Sequence, residues 1–261
     1  MSKIWLLSAS LLLSGIAYAE DTTTSTTDSQ QNDNVDIPSP WEGQVELGYQ
    51  AHSGNTNTEA LNTLVQGTYT KGRHRTTGEW KVYKLVREYY KDKRKSNYSL
   101  QSDYKLGPKS YLYSSFSGTD SNYTAYFKDY TFSAGPGFQL THTDDVTVEF
   151  ELGPGYRYQR PNLDEIDSND VVFDETIKEP IIRANLRNEW AIFKNLNVYA
   201  DLTVVTGQTN TTFTSDVGIT NNITDNIALK LSHNLQYYNK VPDSSLKKHD
   251  GIFTVSVLVS F

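Results

Sequence analysis

The last eleven residues of the chain follow an alternating pattern of apolar and polar side chains. The odd-numbered positions are apolar: Phe253, Val255, Val257, Val259 and Phe261. Because successive side chains of a β-strand point to opposite faces, these five residues lie on one face of a predicted strand. A membrane-length alternating strand that ends on an aromatic residue is typical of the last strand of a bacterial outer-membrane barrel.

Eleven further segments have the same strand character, which makes twelve predicted strands after about residue 41. They are residues 42–52, 58–70, 76–88, 97–107, 110–118, 123–140, 146–159, 178–192, 197–207, 212–221, 227–238 and 251–261. Most reach the roughly 9 to 11 residues that a tilted strand needs to cross a bilayer. The connections alternate between tight turns and longer polar loops, and in outer-membrane barrels the short turns and the termini face the periplasm. The sequence therefore predicts an all-β fold, a transmembrane antiparallel up-and-down β-barrel of about twelve strands.

The start of the chain predicts export. Residues 1–19 contain Lys3, an apolar run and the small-residue end Ala17-Tyr18-Ala19, which is the layout of a signal peptide. Residues 20–40 are rich in Thr, Ser, Asp, Asn and Gln and are predicted to form a disordered periplasmic tail. The barrel domain is predicted to span residues 41–261, in the outer membrane of a Gram-negative bacterium.

Composition excludes several classes of protein. The chain has no cysteine, which excludes a disulfide framework, a thiolate metal site and a cysteine nucleophile. Its 31 acidic and 24 basic side chains leave a net charge of −7, which disfavours binding to nucleic acid.

Parity assigns two faces to each predicted strand. On the segment 146–159, Val146, Val148 and Phe150 share one face, which we expect to contact lipid. A soluble ligand-binding barrel would have the inverse arrangement, with the apolar face inside. The predicted strand number, the aromatic residues near strand ends, such as Trp80 and Trp190, and the final Phe261 favour the membrane barrel.

The opposite faces give the predicted lumen a network of charged side chains. Its members are Glu149, Glu151, Arg157, Arg183, Arg187, Glu189, Asp201, Asp216 and Lys230. Glu149 and Glu151 are about 7 Å apart along a strand, which is between the carboxylate separations of retaining and inverting glycosidases. We interpret the set as ion pairs that line or close the barrel, and the sequence predicts neither a catalytic residue nor a cofactor.

Metal sites receive little support. None of the pairs among the five histidines has metal-ligand spacing. The loop at residues 160–177 contains six acidic residues but lacks the glycine and the spacing of a calcium-binding hand. We interpret it as an acidic solvated loop, and divalent ions that bridge it to lipopolysaccharide are the alternative.

Basic residues cluster in two predicted outer loops. They are Lys91, Lys93, Arg94 and Lys95 in one loop and Lys247 and Lys248 in another. Such a rim could contact the phosphates of lipopolysaccharide or steer anionic solutes, and both alternatives stay open. The predicted partners are outer-membrane lipids, lipopolysaccharide and, through the strand that ends at Phe261, the barrel assembly machinery.

Two predicted strands carry a Gly-Pro-Gly element. Gly135, Pro136 and Gly137 lie on one strand, and Gly153, Pro154 and Gly155 lie on the next. Since proline removes a donor from a sheet, these sites predict a β-bulge on each strand. We expect the double element to indent the wall and to create a pocket or a side opening.

Three segments of the chain resemble a known family. Ser53-Gly54-Asn55-Thr56 follows the first predicted strand, and the segments 134–139 and 150–158 contain the Gly-Pro-Gly elements. In their order and separation they are similar to the salt-induced outer membrane proteins, a domain of unknown function. The resemblance covers about residues 41–261 and implies the fold and location of the chain rather than an activity.

These observations predict a non-enzymatic envelope protein. It would be a narrow passive channel or a structural protein of the envelope stress response, because the predicted lumen is polar and the motifs contain no set of catalytic residues. An outer-membrane enzyme that acts on lipid or lipopolysaccharide is one alternative. An adhesin or scaffold barrel that uses its outer loops is the other.

Overall fold

The fold is described from a computed structural model, which describes residues 39–53, 58–85, 93–122, 126–161, 175–239 and 248–261. The predicted signal segment and nearly all of the predicted tail lie outside these residues. The described part contains twelve β-strands in one closed antiparallel barrel, which confirms the predicted fold class. Within it there is no helix long and apolar enough to cross a membrane.

Each strand pairs with the strands before and after it in the chain. The strands are β1 (Trp41–Ser53), β2 (Thr58–Lys71), β3 (His74–Leu85), β4 (Lys93–Lys105), β5 (Ser110–Ser121), β6 (Tyr126–His142), β7 (Val146–Pro161), β8 (Ile177–Phe193), β9 (Leu196–Gly207), β10 (Thr211–Asn222), β11 (Ile227–Tyr238) and β12 (His249–Ser260). Most bounds agree with the predicted strands to within three residues. The exception is β4, which begins at Lys93 rather than at residue 97, because its first residues pair with the end of β3.

Strands β1 and β12 close the barrel. Their register runs from Gln44 opposite Ser260 to Ser53 opposite Gly251. Closure leaves no sheet edge, so the backbone donors and acceptors of every strand can be satisfied within the wall.

The two faces of the wall differ sharply in polarity. Leu47 is 60% exposed and Leu61 is 63% exposed on the outer face, whereas Glu46 is 0% exposed and Glu151 is 1% exposed on the inner face. An apolar exterior around a polar interior is the arrangement of outer-membrane barrels and the inverse of a soluble barrel.

The two ends of the barrel also differ. One end, the short-turn end, holds the connections at residues 72–73, 106–109, 143–145, 194–195 and 223–226 and both ends of the barrel sequence. At the first of these turns Gly72 has a φ of 60°, a conformation that two-residue hairpin turns require and that glycine adopts without strain. We call the opposite end the long-loop end.

The predicted bulges at the prolines are wrong. Ser133 pairs with Gly155 and Gly137 pairs with Glu151 in one continuous register, and the register shifts lie elsewhere, next to Tyr126 and Gln139. The ladder is interrupted between those two pairs, where Pro136 and Pro154 lie. A proline removes a hydrogen-bond donor without adding a residue, so the ladder loses bonds while the register is kept.

The glycines of this element bring the two strands and two tyrosines together. A Cβ atom on Gly135 would lie 2.8 Å from the Cα of Gly153, and one on Gly153 would lie 2.7 Å from the hydroxyl of Tyr113. A Cβ atom on Gly137 would clash with the ring of Tyr111, which is 5% exposed. The space over the glycines therefore holds buried rings, in place of the side opening that we expected.

Candidate functional site

The lumen is crossed by hydrogen-bonded side chains. A barrel of twelve strands about 4.8 Å apart and tilted by about 40° has a backbone diameter of about 24 Å. Short side chains cannot bridge such a width, and long charged and aromatic side chains with fixed partners are needed to fill it.

Glu151 on β7 is the centre of the first cluster. It accepts hydrogen bonds from Gln101 at 2.7 Å and from Tyr111 at 3.0 Å, and it forms an ion pair of 2.7 Å with Arg183. The guanidinium of Arg183 also lies 5.4 Å from the ring centroid of Tyr113. All of these partners are directed into the barrel, and Glu151 itself is fully buried.

The same cluster continues toward the short-turn end. Arg75 pairs with Asp103 at 2.8 Å and with Glu149 at 3.4 Å, and Gln139 donates to Glu149 at 3.0 Å. Gln101 also donates to Asp103 at 3.0 Å, which links the two halves. We call this set the Glu151 network: Arg75, Gln101, Asp103, Tyr111, Gln139, Glu149, Glu151 and Arg183.

The Glu151 network spans a chord of the barrel. Gln101 on β4 and Glu151 on β7 are three strands apart, which corresponds to about 14 Å along the wall. Their direct contact shows that side chains fill the lumen against strands β4 to β7.

A second cluster lies against the other wall. Glu46 on β1 pairs with Lys230 on β11 at 3.1 Å and accepts a hydrogen bond of 2.7 Å from Ser256 on β12. The ammonium of Lys230 lies 5.2 Å from the ring centroid of Tyr199, whose hydroxyl donates to Asp216 at 3.1 Å. We call these five residues the Glu46 network.

Two further ion pairs complete the inner surface. Arg157 and Glu179 form a buried pair toward the long-loop end, and the backbone and hydroxyl of Thr209 donate to the same carboxylate at 2.8 and 2.9 Å. Arg187 pairs with Asp201 at 3.2 Å. The first pair therefore anchors the connection between β9 and β10 to the inner wall.

A cavity of about 1030 Å³ occupies the lumen between the two networks. It begins at the short-turn end, beside Asp144 and Asp145, and extends past the middle of β11 to Asn234. Its lining includes members of the Glu151 network and of the Glu46 network, so this space separates them.

The cavity wall is strongly acidic. Three basic residues line it, Arg75, Arg187 and Lys230, and each is already paired with a carboxylate. Eight acidic residues line it: Glu42, Glu79, Asp103, Asp144, Asp145, Glu189, Asp201 and Asp216. Among the described residues, six of these carboxylates have no basic group within 4.0 Å: Glu42, Glu79, Asp144, Asp145, Glu189 and Asp216. The residues that line the cavity therefore carry more negative than positive charge, and Lys81, which does not line the cavity but interacts electrostatically with Glu46, Glu79 and Asp216, offsets part of that excess.

The predicted lumen residues all lie on inward positions, and the structure groups them differently. Glu149, Glu151 and Arg183 meet in one network, while Asp216 and Lys230 meet in the other. Arg157 pairs with Glu179, Arg187 pairs with Asp201, and Glu189 lines the cavity.

Several interior residues escaped the sequence interpretation. They are Glu46, Arg75, Glu79, Asp103, Tyr111 and Glu179. Successive side chains of a strand point to opposite faces. This rule places the five charged residues inside when it is applied to β1, β3, β4 and β8 as well as to β7. Tyr111 carries no such signal, since a tyrosine suits either face of the wall.

The predicted basic rim is only partly described. Lys91, Lys247 and the side chain of Lys93 lie outside the described residues, as does most of the acidic loop. Arg94 and Lys248 are exposed at the long-loop end. Lys95, by contrast, faces the lumen, with its ammonium 5.8 Å from the ring centroid of the buried Tyr83. Adjacent residues of a strand point to opposite faces, so Arg94 and Lys95 cannot both belong to an outer rim.

The described residues contain no group of three or more His, Asp or Glu side chains that could hold a metal ion. His233 lies on the outer face between Val217 and Phe253, in an unshifted register. The neighbouring Ser232 points inward, so the two side chains cannot form a catalytic pair.

Comparison with known proteins gives relatives of the same architecture. The NanC porin has a TM-score of 0.53 and 10% identity, with 82% of this chain and 98% of that chain covered. An outer membrane channel from Pseudomonas putida F1 has a TM-score of 0.50 and 10% identity, with 90% and 100% covered. These similarities show the fold, an outer-membrane β-barrel.

Two sequence relationships extend over most of the chain. The uncharacterized protein YdiY of Escherichia coli (strain K12) is 25% identical over 258 residues, which are 97% of this chain and 95% of that protein. The family described as "Protein of unknown function, DUF481" matches residues 45–261. The protein is thus an outer-membrane β-barrel that belongs to the DUF481 family.

Proposed function

We propose that the protein is a narrow passive channel for small hydrophilic solutes, with a preference for cations. The observation that carries the proposal is the acidic cavity, in which eight carboxylates face three basic groups. Fixed charge of one sign on the walls of a narrow cavity concentrates ions of the opposite sign and repels ions of the same sign.

The two networks supply a physical basis for a narrow path. Their hydrogen bonds and ion pairs fix the side chains on opposite walls of the barrel. The cavity between the two networks therefore keeps its shape without a separate plug segment. The six cavity carboxylates that have no basic group within 4.0 Å among the described residues then set the sign of the field in that space. At about 4 Å in bulk water each such charge attracts a cation by about 1 kcal/mol, which is roughly fivefold in local concentration.

The orientation of the barrel is part of the proposal. Short turns and termini face the periplasm in outer-membrane barrels, so the short-turn end and the mouth of the cavity would face the periplasm. The long-loop end would then lie at the cell surface.

A non-enzymatic role fits the same geometry. The buried carboxylates that could serve as acid or base, Glu149 and Glu151, are each held by several hydrogen-bond donors within the protein. NanC is a porin and the similar barrel of Pseudomonas putida F1 is an outer membrane channel, which agrees with this choice.

The test is the reversal potential of the purified protein in a planar bilayer with a KCl gradient. We expect discrete openings and a potential of the sign that cation preference gives. The double variant Glu79→Gln, Glu189→Gln removes two cavity charges and should shift the reversal potential toward zero.

The matched control removes the same number of charges outside the cavity. Asp225 and Glu175 are exposed at opposite ends of the barrel and do not line the cavity, so Asp225→Asn with Glu175→Gln should leave the potential close to that of the parent. A bilayer that stays silent despite verified insertion would overturn the channel and favour a structural barrel. Openings with anion preference would overturn the role of the cavity carboxylates.

The resemblance to salt-induced outer membrane proteins adds a prediction about regulation. We expect the amount of the protein in outer-membrane fractions, measured by immunoblot, to rise when cells grow at high NaCl. An unchanged amount would contradict it without bearing on conductance.

A further inference from the structure

We propose that strands β3 to β8 carry, on their outer face, a binding site for the phosphates of an outer-leaflet glycolipid of the lipopolysaccharide type. The site consists of five cations at the long-loop end: Lys84, Arg94, Lys128, Arg160 and Lys178. We call them the cation belt. The proposal rests on the orientation proposed above, in which this end faces the cell surface.

The register arranges the outer face of β5 to β8 in layers. The layer nearest the long-loop end contains Asp120, Lys128 and Arg160, and the next contains Tyr130, Tyr158 and Lys178. The third layer is Phe116, Phe132, Tyr156 and Pro180. Charge gives way to tyrosine and then to apolar rings, which is the gradient expected where a wall passes from lipid headgroups into acyl chains.

The cations of the belt face one another. Lys128 lies directly opposite Arg160 on β7 and opposite Asp120 on β5, and Lys84 lies directly opposite Arg94. Like charges at directly opposite positions destabilise a sheet. Within the described part of the chain, none of the five has a carboxylate within 4.0 Å, and Asp120 instead accepts a 2.6 Å hydrogen bond from Tyr130. The arrangement is therefore one that an anion from outside the protein would stabilise.

Aromatic rings support the lysines. The ammonium of Lys128 lies 6.0 Å from the ring centroid of Tyr130, and that of Lys178 lies 5.8 Å from that of Tyr158. The two tyrosine rings are stacked, with centroids 6.1 Å apart. Cation–π contact limits the freedom of both lysines on the outer surface of the wall.

The belt covers one side of the barrel. On the remaining strands, the outward positions nearest the long-loop end whose side chains are described, Thr206, Thr211, Tyr237 and His249, contain no lysine or arginine. Lys248 precedes β12, and its ammonium donates to the carbonyl oxygen of Asn239 at 3.4 Å. Non-specific attraction to an anionic membrane surface would not require the cations to be confined to one side of the barrel. A single bound headgroup, by contrast, contacts only one side.

The spacing favours a headgroup with two phosphates. Arg94 on β4 and Lys128 on β6 belong to the two like-charged pairs and are two strands apart, or about 10 Å along the wall. Lysine and arginine are the usual ligands of phosphate, and the rings of Phe116 and Phe132 lie where acyl chains would begin.

The test compares unfolding in vesicles of different composition. The purified protein is inserted into phosphatidylcholine vesicles that contain diphosphorylated lipid A, enzymatically dephosphorylated lipid A or phosphatidylglycerol, with a chelator to remove divalent ions. We expect the urea midpoint of unfolding to rise with diphosphorylated lipid A alone. The variant Lys128→Gln, Arg160→Gln, Lys178→Gln should lose that rise.

The chain offers a control of identical composition at the other end of the barrel. Lys71, Arg73 and Lys194 are exposed at the short-turn end, and their change to glutamine should keep the rise. If the belt variant keeps the rise, or if dephosphorylated lipid A or phosphatidylglycerol protects equally, the proposal is overturned. Conductance in bilayers without lipid A tests the channel separately, so failure of one proposal is distinguishable from failure of the other.

Discussion

The ring of Tyr111 fills the space above Gly137, its direct partner on β6. A Cβ atom at position 137 would lie against that ring, so the glycine is what allows the tyrosine to lie flat on the wall. The hydroxyl of the same tyrosine donates to Glu151 at 3.0 Å. Aromatic cover of a strand glycine thus connects the packing of the wall to the polar network inside it.

The Gly-Pro-Gly element yields the first prediction. Gly153→Ala would place a Cβ atom against the backbone of Ala134, 2.7 Å from its carbonyl carbon, and 2.7 Å from the hydroxyl of Tyr113. Because neither neighbour is the free end of a flexible side chain, we expect the free energy of unfolding to fall by about 1–3 kcal/mol. Urea titration of tryptophan fluorescence in lipid vesicles measures it.

A glycine without neighbours is the control for this substitution. A Cβ atom on Gly67 would meet nothing within 4 Å, so Gly67→Ala should change the free energy of unfolding by less than about 0.5 kcal/mol. Equal effects at the two positions would show that the close approach of β6 and β7 does not limit stability.

The second prediction concerns the buried carboxylate at the centre of the lumen. Glu151→Ala leaves the largely buried Arg183, whose side chain is 12% exposed, without its ion pair, and it leaves Tyr111 and Gln101 without this acceptor. Removal of one partner from a buried pair costs about 3–5 kcal/mol, which the same urea titration would record.

Glu189 is the matched carboxylate for that experiment. It lines the cavity, is exposed to it and has no basic group within 4.0 Å in the described part of the chain. Glu189→Ala should therefore alter the free energy of unfolding by no more than about 0.5 kcal/mol. A loss at Glu151 as small as this one would mean that the network does not hold the barrel together.

The third prediction tests which face contacts lipid. Leu47 is 60% exposed at the middle of β1, so Leu47→Arg would place a charge in the hydrocarbon region. We expect the free energy of unfolding in vesicles to fall by about 2–4 kcal/mol. Gln66→Arg on β2 points into the acidic cavity and should be tolerated. The reverse order of the two effects would invert the assignment of the faces.

The fourth prediction uses the absence of cysteine from the chain. A cysteine at Glu189 should react with a water-soluble, positively charged methanethiosulfonate reagent, and the added bulk and charge should reduce single-channel conductance. A cysteine at Leu186, which lies on the outer face of the same strand, should stay unmodified in the membrane. Similar rates of modification, measured by mass spectrometry, would contradict a water-filled cavity bounded by lipid-facing walls.

Much of the fold follows from local patterns. The alternation of Phe253, Val255 and Val257 predicts a strand and its outer face, since side-chain direction has a period of two residues. The start of β4 was predicted four residues late because residues 93–96 are basic and polar. Their strand conformation comes from pairing with β3, which side-chain polarity does not report.

The sequence by itself determined the number of strands, their approximate limits and the faces on which Glu149, Glu151 and Arg157 lie, because each follows from local composition and parity. Only the tertiary structure decided the partners of those residues. Closure of the barrel brings Gln101 of β4 to Glu151 of β7, and the glycine spacing of β6 and β7 admits the rings of Tyr111 and Tyr113. Parity gives the face of a side chain, whereas contacts across the lumen depend on wall curvature and strand tilt, which arise when all twelve strands close.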